Sequence, residues 1–470
     1  MCAIITGSLR GWRHRAVITG SLRGWRHRAA ITDSLMGWGN GMSMFRSVGL
    51  RLWAVVVVGL MGLVLAACGS SGGSSGGGTN SSSSGGGPSA SGGSSASGGH
   101  AADSSLSTIQ IGMIADVAGV HSSSFQGALT VAPAWQKWVN TEMGGIGGHP
   151  VQVNVVDDKE DPATGLADAK DLVESKHVIA IVGEVSVTTP AWADYVLQKK
   201  VPVVGGTADY APYWSNPMFF PLTVNGVTAN FTVGDLAKKV GAKKAGIVYC
   251  AEVAQCKALT GLIKPGLERN NIQFVGGFGI SATAPSYTSQ CLQLRSAGAD
   301  LVEVATSVPP FERTVQDCKR QGFTPKWLAT PGAMRASFLS KVSADVVGYS
   351  PNFPYWADYP AVAQYRDVMG KYAKSEAWQA EDGSQVWTSL EMLRQKVLPH
   401  PSANPTSADV LAGLYALHDE NLGGLMANKV TFTQGKPISP GWPCVWAVEW
   451  KDGKPVPVTL STSDTVCGKP

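Results

Sequence analysis

An α/β fold of two doubly wound parallel-sheet lobes joined by a hinge is predicted by three features of the sequence. Short runs of β-branched and other apolar residues recur along the chain, each of strand length. Between them lie segments of helical length and pattern. The series breaks once, near Pro217–Gly226, which divides it in two. Continuous apolar strands alternating with helices indicate parallel sheets covered on both faces. Two such lobes in one chain place a cleft between the carboxyl ends of their strands, where ligands bind.

In order, the strands are Ile109–Ile114, Val151–Val156, Val178–Val182, Val201–Val204, Ala245–Tyr249, Ile272–Val275 and Leu301–Ala305. The helical segments between them include Pro162–Lys176, Pro190–Lys200, Gly226–Val240, Cys256–Asn270 and Pro309–Gln321. Pro162 and Pro190 each open a helix, at a position whose N–H has no intrahelical partner. The globular part begins near Leu106 and runs for about 365 residues, enough for two domains.

Residues 1–105 are different in kind. Arg46 and Arg51 precede the apolar run Leu52–Ala67, which closes with Leu65-Ala66-Ala67-Cys68. A basic start, an apolar core and a small-residue exit are the parts of a signal peptide. At 16 residues the run is shorter than the roughly 20 of a spanning helix. Its last four residues resemble the lipobox of bacterial lipoproteins, which implies lipidation of Cys68 and cleavage before it. The expected organisation is a leader over 1–67, with a repeat-bearing extension at 1–43 and the lipoprotein signal peptide at 44–67. Cys68 and a tether follow over 68–105.

The extension repeats a 13-residue unit, from Ile5 to Trp12, Ile18 to Trp25 and, degraded, Ile31 to Trp38. Met42 and Met44 both stand where a signal peptide would begin, so residues 1–41 are expected to be absent from the mature protein. The tether Gly69–Gly99 holds Gly, Ser, Ala, Thr, Asn and one Pro. Such a segment buries too little surface to offset its ordering entropy and stays a coil, about 30 Å end to end.

Charge follows the same division. Residues 1–67 hold eight of the 38 Lys and Arg and one of the 34 Asp and Glu. The remainder therefore carries 30 basic and 33 acidic side chains, a net of −3, and nothing in it suggests a nucleic-acid partner. Beyond Cys2 and Cys68 six cysteines remain, an even number that suits an oxidising compartment. Six allow 15 connectivities. The expected pairs are Cys250 with Cys256 across a strand-to-helix turn, Cys291 with Cys318 between successive helices, and Cys444 with Cys467 in the tail. No pair has C-x-x-C or H-x-x-x-H spacing, so no metal is expected.

Catalysis is not expected either. There is no G-x-S-x-G elbow between a strand and a helix, no H-E-x-x-H and no G-x-x-x-x-G-K-[ST]. His121, His149, His177, His400 and His418 are scattered along the chain. Asp157–Asp161 could be read as a calcium loop, but Pro162 directly after it favours acidic capping of a helix.

Several landmarks together resemble the type I periplasmic binding proteins, in the branch typified by leucine/isoleucine/valine-binding proteins of ABC importers. Gly144-Gly145-Ile146-Gly147-Gly148 leads into the strand Val151–Val156, and Asp157–Pro162 is similar to that family's acidic strand end. Gly183–Pro190 and Val201–Ala208 look like the two ligand loops of its first lobe, and Ser296–Asp300 precedes the strand Leu301–Ala305. The resemblance covers about residues 108–450. It implies a first lobe of about 106–226 plus 349–425, a second of about 227–348 plus 426–470, and closure around a solute.

The first-lobe loops offer Ser186, Thr188 and Thr189, then Gly205, Gly206 and Thr207. Equivalent hydroxyl and backbone groups hold the ligand carboxylate in the family; alternatively Ser186 and Thr188 cap the helix behind them. In the second lobe Gln255 and Ser307 stand where amino-acid binders present aromatic residues. Thr330-Pro331-Gly332 stands where they place a carboxylate for the ligand ammonium, which puts an α-amino acid in doubt. Tyr355, Trp356 and Tyr359 either line the cleft or pack the hinge.

The resemblance thus implies a solute-binding lipoprotein on the extracytoplasmic face of the cell membrane. It would capture a small amino acid, amide or carboxylate-like molecule for an ABC transporter permease, as a monomer and without a cofactor. A ligand-sensing lipoprotein that signals to a membrane receptor or regulator is the alternative.

Overall fold

The computed structural model describes residues 100–252, 254–342, 344–437 and 444–468, without the side chains of residues 226, 227, 254 and 255. The leader, Cys68 and the tether up to residue 99 therefore lie outside the described residues. Among the described residues no helix is long and apolar enough to cross a membrane.

The first lobe is built on β1 (Ile109–Ala115), β2 (Val151–Asp157), β3 (Ala180–Val182), β4 (Val203–Val204) and β5 (Phe219–Phe220). Their order is β2-β1-β3-β4-β5, and every pairing is parallel. The reversal between β1 and β3 is the topological switch point at which such sheets open a crevice. Helices α1 (Gln126–Glu142), α2 (Pro162–Glu174), α3 (Thr189–Lys199) and α4 (Pro212–Ser215) alternate with these strands.

Local chemistry explains the boundaries. Asp161 accepts the Thr164 N–H at 2.7 Å and Pro162 follows it, so the acidic run Asp157–Asp161 ends in a helix cap. Lys200 ends α3 in the left-handed region at φ 57°.

The second lobe starts with α5 (Gly226–Lys239) and β6 (Lys244–Cys250), then α6 (Ala254–Arg269) and β7 (Gln273–Ile280). There follow α7 (Thr288–Ser296), β8 (Leu301–Ala305), α8 (Val308–Arg320), β9 (Lys326–Ala329), α9 (Ala336–Leu339) and β10 (Val346–Ser350). The parallel order is β7-β6-β8-β9-β10. From Pro351 the chain returns to the first lobe as α10 (Pro360–Tyr372), α11 (Glu381–Met392) and α12 (Ser407–Tyr415). It finishes as β11 (Cys444–Lys451), β12 (Lys454–Pro455) and β13 (Thr465–Cys467) on the second sheet, with β11 antiparallel to β10.

All three expected disulfides are present. Cys250–Cys256 joins the end of β6 to the start of α6, Cys291–Cys318 joins α7 to α8, and Cys444–Cys467 joins β11 to β13. Tyr355, Trp356 and Tyr359 pack where the chain returns to the first lobe. Tyr355 meets Trp356 and Trp378, and Trp356 meets Trp450 and donates to the Val456 carbonyl at 3.0 Å.

Candidate functional site

A cleft of about 500 Å³ opens between the carboxyl ends of the two sheets. The first lobe contributes Thr207, Tyr210 and Trp214 from the loop after β4 and from α4, with Ser124 and Phe125 from the entry to α1. The second contributes the Cys250–Cys256 disulfide, Leu259 and Leu262 of α6, and Thr306 and Ser307 after β8. Tyr349 of β10 and the first turn of α11, with Glu381, Asp382 and Gln385, complete the wall. A mostly apolar concavity with a few polar groups converging on it is the usual form of a small-molecule site.

The loops that the sequence singled out separate into two groups. Thr207 and Ser307 line the cleft. Gln385 donates to Thr207 Oγ1 at 3.1 Å, and Ser307 Oγ reaches the Val120 carbonyl of the opposite lobe at 3.5 Å. Ser186, Thr188 and Thr189 turn inward instead, each at most 2% exposed. The hydroxyls of Ser186 and Thr188 both donate to Asp158 Oδ2, the latter at 2.6 Å, and Thr189 donates to Glu184 at 3.2 Å.

Gly205 and Gly206 are buried too, at φ 66° and 95°. A Cβ on the first would overlap Ser389 and on the second Tyr213. The glycines therefore let the strand end pack against the protein's own helices. The side chain of Gln255 lies outside the described residues; its backbone is in the first turn of α6.

Behind this wall sits a set of carboxyls held above their ordinary range. Burial, with the neighbouring Asp158 carboxylate, pushes Asp116 up to about 10. Burial pushes Glu184 up to about 8, against the opposing effect of its hydrogen bonds to Tyr213, Ser186 and Thr189. The Tyr213 hydroxyl meets Glu184 and also lies 2.9 Å from the Gly205 carbonyl. One hydroxyl hydrogen cannot serve both acceptors, whereas a protonated Glu184 can donate to Tyr213 while Tyr213 donates to Gly205.

In the cleft itself Asp209 is open to water yet set deep between protein walls, and desolvation pushes its carboxyl up to about 6. Glu381 is buried and accepts from Asn352 Nδ2 at 2.7 Å; burial pushes it up to about 7. No local pattern in the sequence marks these two acids. Asp209 stands directly after a recognised loop, and Glu381-Asp382 reads as an ordinary acidic helix start. They also supply carboxylates that the second-lobe loops lack, so the doubt about binding an ammonium group does not extend to the cleft as a whole.

Glu303 of β8 lies apart from the cleft, 2% exposed, and neither carboxyl oxygen has a hydrogen-bond partner among the described residues. Burial raises it from 4.5 to about 8. The folded protein thus keeps a proton that the unfolded chain releases above about 4.5, so this group's contribution to stability falls as pH rises from about 4.5 to about 8. Glu303→Gln should therefore be more stable than the parent at pH 7, by roughly 3 kcal/mol. Urea unfolding at pH 5 and pH 7.5 checks this, and an unchanged pH slope in the variant would count against it.

The sequence profile of a family described as periplasmic binding protein matches residues 108–455. No curated protein matches the chain. A branched-chain amino acid ABC transporter protein from Thermus thermophilus, solved with bound valine, superposes with a TM-score of 0.64 at 14% identity, covering 75% of this chain and 96% of that one. A substrate-binding protein of an ABC transporter from Aeropyrum pernix gives 0.62 at 17% identity, covering 77% and 96%. A leucine-binding protein from Thermotoga maritima gives 0.59 at 16% identity, covering 74% and 97%. At these identities the likeness is one of fold.

Proposed function

Since the chain belongs to the periplasmic binding protein family, we propose that it is an extracytoplasmic solute-binding lipoprotein that delivers a small polar molecule to an ABC importer. The observation that carries this reading is the cleft of about 500 Å³ lined by both lobes at the carboxyl ends of their sheets. Ser307 of one lobe reaches the Val120 carbonyl of the other at 3.5 Å, so the two walls already approach each other across the cleft. Lipidation at Cys68 would hold the binder near its permease, and the Gly69–Gly99 coil would let it reorient.

A thermal-shift screen of amino acids, amides and amines tests the binding reading, because a ligand stabilises the folded state in proportion to the logarithm of its concentration over Kd. Thr207→Ala should lower the shift while lowering the apo melting temperature only slightly, since Thr207 lies on the cleft surface and Gln385, which loses an acceptor in Thr207 Oγ1, keeps the Glu184 carbonyl. Ser186→Ala should instead lower the apo melting temperature, because it leaves the buried Asp158 with one donor fewer. A ligand shift that Thr207→Ala leaves intact, and that survives filling the cleft by Ala211→Trp, would refute the site. Release from the membrane fraction by Cys68→Ser tests the anchor, and retention would sink it.

A further inference from the structure

We propose that the cleft selects a small organic cation, an ammonium group on an apolar body without a carboxylate, with its charge held by Asp209 and Glu381. The inference rests on the cleft being the ligand site. Its charged side chains among the described lining residues are Asp209, Glu381, Asp382 and His121, with no lysine or arginine. Two of these are already answered: Asp382 pairs with Arg335 at 3.1 Å, and His121 Nδ1 lies 3.0 Å from Glu160. Asp209 has no ion-pair or hydrogen-bond partner for its carboxylate among the described residues. Among the described residues Glu381's carboxylate is met by Asn352, whose side chain is a neutral amide, and the charge of Asp209 raises it further. A confined pair of uncompensated acids favours a cation.

Among the described lining residues no cationic side chain stands ready for a ligand carboxylate. The hydroxyls of Ser186, Thr188 and Thr189 are spent on Asp158 and Glu184. Those of Thr306 and Ser307 are aimed at backbone carbonyls. A carboxylate here would lie beside Asp209 and Glu381 without a cationic side chain to answer it, a costly arrangement in a confined site. The rest of the surface, including Phe125, Tyr210, Trp214 and Tyr349, offers apolar area and π faces that suit an alkyl or aryl ammonium.

Three compounds with one isobutyl body separate the alternatives: isopentylamine, leucine and 4-methylpentanoic acid. Each is titrated into the full-length protein in detergent by calorimetry and thermal shift, alongside the Asp209→Asn and Ala211→Trp variants. Isopentylamine is expected to bind more tightly than leucine, and 4-methylpentanoic acid not to bind. Asp209→Asn should weaken the amine by about tenfold or more, and Ala211→Trp should abolish its binding. Affinity for the amine should rise between pH 5.5 and 8 with release of protons, as carboxyls pushed up to about 6 and about 7 ionise. Tighter binding of leucine or of the acid, lost in Ala211→Trp, would overturn the cation class while sparing the cleft. Amine binding that persists in Ala211→Trp would overturn the cleft itself. No binding of any of the three overturns the proposal.

Discussion

Asp382→Ala is expected to destabilise the protein by about 3–5 kcal/mol, because it strands a buried guanidinium. Arg335 precedes α9 in the second lobe and is 7% exposed; Asp382, in the first turn of α11, is 4% exposed. One carboxylate oxygen takes Arg335 Nη2 at 3.1 Å, and the other takes the backbone N–H of Gly127 in α1. A Cβ at residue 127 would collide with this carboxylate, so glycine is what allows the helix to come so close. The Nε of Arg335 already lacks a partner among the described residues, so losing Asp382 leaves the cation with little to answer it.

Burial raises the Asp382 carboxyl and the Arg335 guanidinium opposes that rise. A double variant, Arg335→Met with Asp382→Leu, should recover much of the loss, since the penalty belongs to the unpaired charge. Urea unfolding followed by tryptophan fluorescence measures both. A loss below about 1 kcal/mol in Asp382→Ala, the range of an exposed pair, would show that the pair does not fasten the lobes.

Trp387→Ala should cost a similar amount, about 3–5 kcal/mol, by opening a cavity rather than by exposing a charge. Trp387 is 1% exposed on α11. Its ring stacks on Trp138 of α1 at 5.3 Å between centroids and meets Tyr365 of α10 edge-on at 5.2 Å. One turn further along the same seam, Trp135 Nε1 donates to the buried Glu391 at 2.7 Å. The indole thus joins three helices of the first lobe, and an alanine would leave an aromatic-sized hole that rigid helices cannot close. Trp387→Phe should lose markedly less. Because Glu381, Asp382 and Gln385 sit on the same helix and line the cleft, Trp387→Ala should also weaken ligand binding. Equal stability of Trp387→Ala and the parent protein in urea would contradict this account.

What the sequence carried was everything written in local pattern. Leu301–Ala305 is a strand with the expected limits, and the Asp161–Pro162 pair caps and opens α2 as its chemistry requires. The expected cysteine pairs, chosen from 15 possible connectivities, are the ones the fold forms. The hydroxyls of Ser186, Thr188 and Thr189 were visible as a polar loop, but which way they face was not. That depends on Asp158, some 30 residues earlier, whose carboxylate draws two of them inward. Asp209 and Glu381 were unremarkable in the chain and gain meaning only from the walls around them.

The sequence by itself determined the fold class and the division into two lobes of alternating strands and helices, because periodicity and capping are local properties; the pairing of the six cysteines was settled by the fold that brings them together. Only the tertiary structure decided which polar groups meet in the cleft and which satisfy one another behind it. That choice is made by desolvation and by pairing between residues far apart in the chain, and neither leaves a mark on the order of the amino acids.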